Sequence, residues 1–176
     1  MAATSSDRME VDGLEINLRR PEFAALLAWL IPGAGHYYQK RMGKAALYGF
    51  SILSLYLIGM FLGSGRVVSW SWGSEDRRWH YFCQLGVGLP ALPAAIEGWR
   101  ASKGNPKPLF GGFMTKPTDM RMLDRWHFTS AHGFELGSLY TMIAGLLNYL
   151  VIFDAYSGPL PILVARKETA TKDEKP

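Results

Sequence analysis

Hydrophobic and polar positions fall in blocks along this chain. Four apolar runs, over residues 23–38, 45–63, 81–99 and 136–153, are separated by polar segments, and the third is interrupted only by Gln84 and Glu97. As helices, runs of 16 to 19 residues reach roughly 24–29 Å, close to a hydrocarbon layer about 30 Å thick. The pattern predicts an all-α, polytopic transmembrane helical bundle with helices over 21–39, 44–63, 80–99 and 135–156. A polar tail over 1–20 precedes this domain, which spans 21–165, and a charged tail over 166–176 follows it.

A soluble bundle would show apolar stripes opposite charged ones. Runs 45–63 and 136–153 hold no charged residue on any face, so a soluble fold would have to bury both completely. A chain of 176 residues has too little other material to cover them. Trp79, Tyr81, Trp99, Trp126, Tyr140 and Tyr156 lie near run ends, where amphipathic rings favour a lipid–water boundary. The overall composition, 48% hydrophobic with mean hydropathy +0.01, would suit a soluble protein only because the polar tails dilute the average. No cleavable signal is expected, since Asp7, Glu10, Asp12 and Glu15 occupy the first twenty residues without an early apolar core.

Within the first run the segment "IPGAGHYYQKRMGKA" sets helix breakers inside a membrane-length stretch. Pro32 removes a backbone donor, and Gly33 and Gly35 remove side chains so that another helix can approach. A short turn over 39–44 is expected to fold the second helix back on the first, with His36, Tyr37 and Tyr38 at the interface. His36 as a metal ligand would need a partner ligand at i+3 or i+4, and the sequence supplies none there. In the fourth helix Gly137, Thr141, Gly145 and Asn148 share one face, the expected packing surface, with Asn148 able to hydrogen-bond across it.

Charge adds little. The net +4 is spread over loops and tails, so no nucleic acid is expected as partner. With four spans, nine Lys and Arg residues fall on one side and ten on the other, and only the crowding of Lys40, Arg41 and Lys44 in the short turn favours placing it in the cytoplasm. On that topology Glu97 closes the third helix beside Arg41, Lys44 and Arg100. Asp154 closes the fourth on the opposite side, beside Arg19, Arg20 and Arg66. Each is expected in an interfacial ion pair, the alternative being a proton or substrate relay. Residues 118–132 read as an interfacial helix capped by Thr118, with Met120, Leu123, Trp126 and His127 on one face and Arg121 and Arg125 on another. His132 and Glu135 could pair at a metal, although two ligands do not make a site, and no metal or cofactor is expected. Cys83 is the one cysteine and is expected to pack.

The hairpin segment resembles the Pro-Gly-x-Gly-x-x-Tyr plus Gly-Lys signature of small bacterial membrane proteins, including relatives of the two-transmembrane hairpin domain. The segment "ELGSLYTMIAGLLNYLVIFDAYSGP" is similar to the last helix of bacterial four-helix membrane proteins grouped as a family of unknown function. These resemblances imply architecture, a multi-pass protein of a bacterial inner membrane, and no catalytic residues. No nucleotide-binding loop or catalytic triad signature is present, so an enzyme is not expected. Three function classes stay open: a structural or partner-binding membrane component, whose partners would be lipids and a membrane protein or a second copy; a small transporter or channel; and a lipid-directed enzyme using His127, His132 and Glu135.

Overall fold

Proline and glycine decide where this chain reverses. A computed structural model describes residues 8–11, 14–17, 20–71, 78–104, 107–115, 117, 120–130 and 132–158. Within the expected polar tail, strands β1 (Arg8–Val11) and β2 (Leu14–Asn17) pair antiparallel, with Met9 opposite Ile16. The remaining elements are helical: α1 (Pro21–Leu30), α2 (Ala34–Tyr38), α3 (Met42–Leu62), α4 (His80–Leu85), α5 (Leu92–Ser102), α6 (Met120–Ser130) and α7 (Gly133–Ser157). A single 3₁₀ turn, Leu89–Ala91, precedes α5. The C-terminal tail over 166–176, Arg19, Thr118, and Glu75, Asp76 and Arg77 lie outside the described residues, as do the side chains of Met120, Leu123 and His127.

Residues 21–39, expected as one helix, form two that fold back on each other. Ile31 leaves the helix for extended backbone at φ −135° and ψ 117°, the conformation favoured before a proline. Gly33 then takes φ +86°, a left-handed value that a side chain would strain. Helix α2 consequently runs back along α1, with Gly35 against Ala24 and Ala28, and the Tyr38 ring edge-on to Phe23 at 5.3 Å. The glycines do permit close approach: Gly35 brings α2 onto α1, and Gly33 rests on the α3 backbone at Ala45 and Gly49.

The expected helix over 80–99 is divided in the same manner. Helix α4 ends at Leu85, Gly88 reverses the chain at φ +81° and ψ −128°, and α5 leads back. Tyr81 donates from its hydroxyl to the Ala91 carbonyl at 2.9 Å across this second hairpin, and Gly98 packs on the Trp70 carbonyl in the loop after α3.

Helices α3 and α7 are long and unbroken. They cross antiparallel, with Gly59 against Gly137 and Thr141 at one end and Lys44 against Asp154 at the other. These two helices are the ones long and apolar enough to cross a membrane among the described residues, and only 22% and 33% of their apolar windows are buried. The hairpins therefore enter from opposite ends of the α3–α7 pair. The α1–α2 hairpin shares an end with the turn over 39–41, and α4–α5 shares the other with the loop after α3. Helix α6 packs on the start of α7 at that second end, with Trp126 buried beside Phe134 and under the Arg66 guanidinium, and with Arg121 and Arg125 exposed.

Glycine placement follows the crossings. A Cβ on Gly145 would overlap the Cys83 carbonyl, and one on Gly86 would overlap the Gly145 carbonyl, so α4 rests backbone to backbone on α7. Gly43 has open space around it. Gly145→Ala is expected to lower stability in detergent by about 1–3 kcal/mol through overpacking, whereas Gly43→Ala should be neutral or stabilising by up to about 1 kcal/mol. Unfolding titrations of both variants measure the difference, and equal effects would show that the crossing is not close-packed.

Candidate functional site

A helix that stops inside a protein leaves carbonyl groups without their usual donors. Here α1 and α4 both stop near the middle of α7, and their loose carbonyls converge on Asn148. Its Nδ2 donates to the Ala28 carbonyl at 3.0 Å and to the Gly86 carbonyl at 2.8 Å, so one side-chain amide joins the tips of both hairpins. Trp29 adds a direct link, donating from Nε1 to the Leu85 carbonyl at 3.2 Å. Two turns away on the same face of α7, the Thr141 hydroxyl accepts from Gln84 Nε2 at 2.9 Å, and Gln84 Nε2 also donates to the Val67 carbonyl at 3.1 Å. Asn148, Thr141 and Gln84 are fully buried. The acceptor oxygens Asn148 Oδ1 and Gln84 Oε1 are buried without a donor among the described residues.

A second polar cluster closes the end that holds the turn. Asp154 accepts from His36 Nε2 at 2.7 Å, from Lys44 Nζ at 3.1 and 3.3 Å to its two oxygens, and from Arg41 Nη2 at 3.4 Å. Because a carboxylate only accepts, His36 donates through Nε2, and its buried Nδ1 has no partner among the described residues. Edge-on packing against Tyr48, with ring centroids 5.0 Å apart, holds the His36 ring. Gln39 ties the turn to α7 by donating from Nε2 to the Ala155 carbonyl at 2.7 Å. Helices α2, α3 and α7 are thus clamped together by one carboxylate and its three donors.

This arrangement corrects two placements. Asp154 was expected on the side away from the turn, beside Arg19, Arg20 and Arg66, and instead it sits among the turn's own cations. Treating 80–99 as one crossing helix put Asp154 on the wrong side, because its side relative to the turn is set by the elements between them. Glu97 was expected beside Arg41 and Lys44, yet it is buried at the far end, where Oε1 accepts the backbone N–H groups of Leu109 at 2.6 Å and Phe110 at 3.1 Å. There it organises the loop after α5.

The other expected residues are distributed without forming a reactive centre. Pro32, Gly33 and Gly35 make the first reversal, while Gly137 and Gly145 line the α7 face that receives α3 and α4. Tyr37 is exposed and Tyr38 packs on Phe23. His132 and Glu135 lie exposed at the start of α7, and no group of three His, Cys, Asp or Glu residues able to hold a metal occurs among the described residues. Gln84, Gln39 and Trp29 were not singled out from sequence. Gln84 had a readable signal, as one of the two polar residues that interrupt the apolar run over 81–99, where an amide needs a partner.

Replacing Asn148 by Leu removes both bonds and leaves two buried carbonyls unsatisfied. A loss of about 1–3 kcal/mol in unfolding free energy is expected, while the same assay on Leu147→Ala, at an exposed position of the same helix, should change little. Indistinguishable variants would show that the amide does not hold the hairpin tips.

No curated protein and no solved structure matches this chain. A family model described as a family of unknown function, DUF6677, matches residues 23–168, which takes in both hairpins, both long helices and both polar clusters. The chain belongs to that family.

Proposed function

We propose that the protein is a multi-pass membrane scaffold that binds a partner through its outer helical faces, a second membrane protein or another copy of itself. The observation that carries this reading is the exposure of apolar side chains along α3 and α7, including Phe50, Leu57 and Phe61 on one and Leu139, Leu150 and Phe153 on the other. Such faces suit hydrocarbon or a membrane partner and would be costly in water. Two hairpins that enter from opposite ends also suit a membrane, where irregular backbone is tolerated only when buried in protein. The membrane proposed for it is a bacterial inner membrane, a reading supported by the resemblance of its hairpin segment to small bacterial membrane proteins.

The interior favours a scaffold over a conduit. Backbone-to-backbone contacts at Gly86 and Gly145, and at Gly88 against the Trp29 carbonyl, close the middle. The polar side chains there donate to broken-helix carbonyls. A transport reading draws on a different observation, the undonated oxygens of Asn148 and Gln84, because discontinuous helices that meet at mid-depth can line a solute site.

Purification from native membranes in mild detergent, with mass spectrometry of co-eluting species, separates the two. The scaffold reading expects a partner protein or second copy in fixed stoichiometry. A chain that elutes alone, and that after reconstitution moves a solute in a manner abolished by Gln84→Leu, would overturn it.

A further inference from the structure

The cluster around Asp154 holds more positive charge than its single carboxylate balances. Arg41 and Lys44 both point at Asp154, and His36 adds a third donor to the same oxygen. The guanidinium of Arg41 has five N–H donors, and its two bonds within the cluster, to Gln39 Oε1 and Asp154 Oδ2, are both long at 3.4 Å. Lys44 is the most open member, with 37% of its side chain exposed. One unit of positive charge is therefore left over among the described residues, carried to the surface by Lys44, with Arg41 beside it at 13% side-chain exposure. Directly beneath, one turn along α3 from Lys44, stands Leu47, and one turn along α7 from Asp154 stands Leu150, each more than half exposed.

We infer that Arg41 and Lys44 form a binding site for the phosphodiester headgroup of an anionic phospholipid, whose acyl chain lies along Leu47 and Leu150. Charge complementarity selects the headgroup, since a phosphate oxygen accepts from both cations while Asp154 fixes their position. The exposed leucines select a lipid over a free phosphate ion, because the acyl chain covers apolar surface that an inorganic anion leaves bare. Asp154 acts as a positioning residue that also limits affinity, because its charge offsets one cation. This inference rests on the membrane reading alone and is independent of any partner protein.

Full-length protein in mixed micelles of phosphatidylglycerol and phosphatidylcholine, examined by native mass spectrometry, tests the site. The wild type should retain phosphatidylglycerol over phosphatidylcholine. Lys44→Gln should reduce that retention at least about fivefold, Lys44→Arg should preserve it, and Asp154→Asn should maintain or raise it although it loses the ion pairs. Millimolar inorganic phosphate should not displace the lipid. Equal retention of the two lipids, loss of retention in Asp154→Asn with wild-type elution volume, or displacement by inorganic phosphate would each overturn the inference, the last in favour of a free-anion site. Should Lys44→Gln unfold, Arg41→Lys supplies the second reading, since replacing the fork with a point charge should weaken retention without removing charge.

Discussion

Two hydrogen bonds from one amide hold the architecture together. A helix that stops half-way through an apolar layer strands carbonyl groups where water cannot reach them, and each stranded group costs as much as a lost hydrogen bond. Helix α1 is about 15 Å long and stops beside the middle of α7, so its end meets this problem inside the bundle. Helix α4 arrives at the same depth from the other end. Asn148 answers both at once with a single NH₂ group, and Thr141 with Gln84 repeats the device for the loop after α3. The rest of the fold brings those groups within reach. Glycines at 86 and 145 let the backbones touch, and glycines at 33 and 88 reverse the chain before it leaves the core.

Much of this was legible in sequence, though its direction was not. Hydrophobic content located all four apolar segments, and the small-residue face of α7 was readable from the spacing of Gly137, Thr141, Gly145 and Asn148. Hydropathy is blind to reversal, however, because both limbs of a buried hairpin are apolar. The run over 81–99 contains Gly86, Gly88, Pro90 and Pro93, and these breakers carried the information that periodicity lacked. One misread reversal propagates: with 80–99 taken as a single span, Asp154 and the basic turn fall on opposite sides. With 80–99 reversed they meet, and the pairing of Asp154 with His36, Arg41 and Lys44 follows. Glu97 was misassigned for the same reason, and its true partners, two backbone N–H groups in an irregular loop, leave no mark in side-chain patterning.

The two polar clusters divide the work. At mid-depth, neutral amides and a hydroxyl satisfy backbone without placing charge in the interior, as suits a low-dielectric setting. Charge is kept to the two ends of the α3–α7 pair, Asp154 with Lys44 and Arg41 at one and Glu97 and Arg78 at the other. Between them runs the α7 face of small residues, so the same helix that seals the core also carries the carboxylate that fastens the turn. The α3–α7 pair then turns apolar side chains outward, while the interior stays closed around the hairpin tips.

Sidedness tests the central claim most directly. Single cysteines would be placed at the exposed positions Arg20, Lys40 and Ser64 in a Cys83→Ser background and challenged with a membrane-impermeant thiol reagent in sealed vesicles of known orientation. A hairpin that enters and leaves on one side predicts that the cysteines at 20 and 40 react from the same face and the one at 64 from the other. Labelling of 20 and 40 from opposite faces would show that residues 21–39 cross the membrane as one span, and would contradict the account.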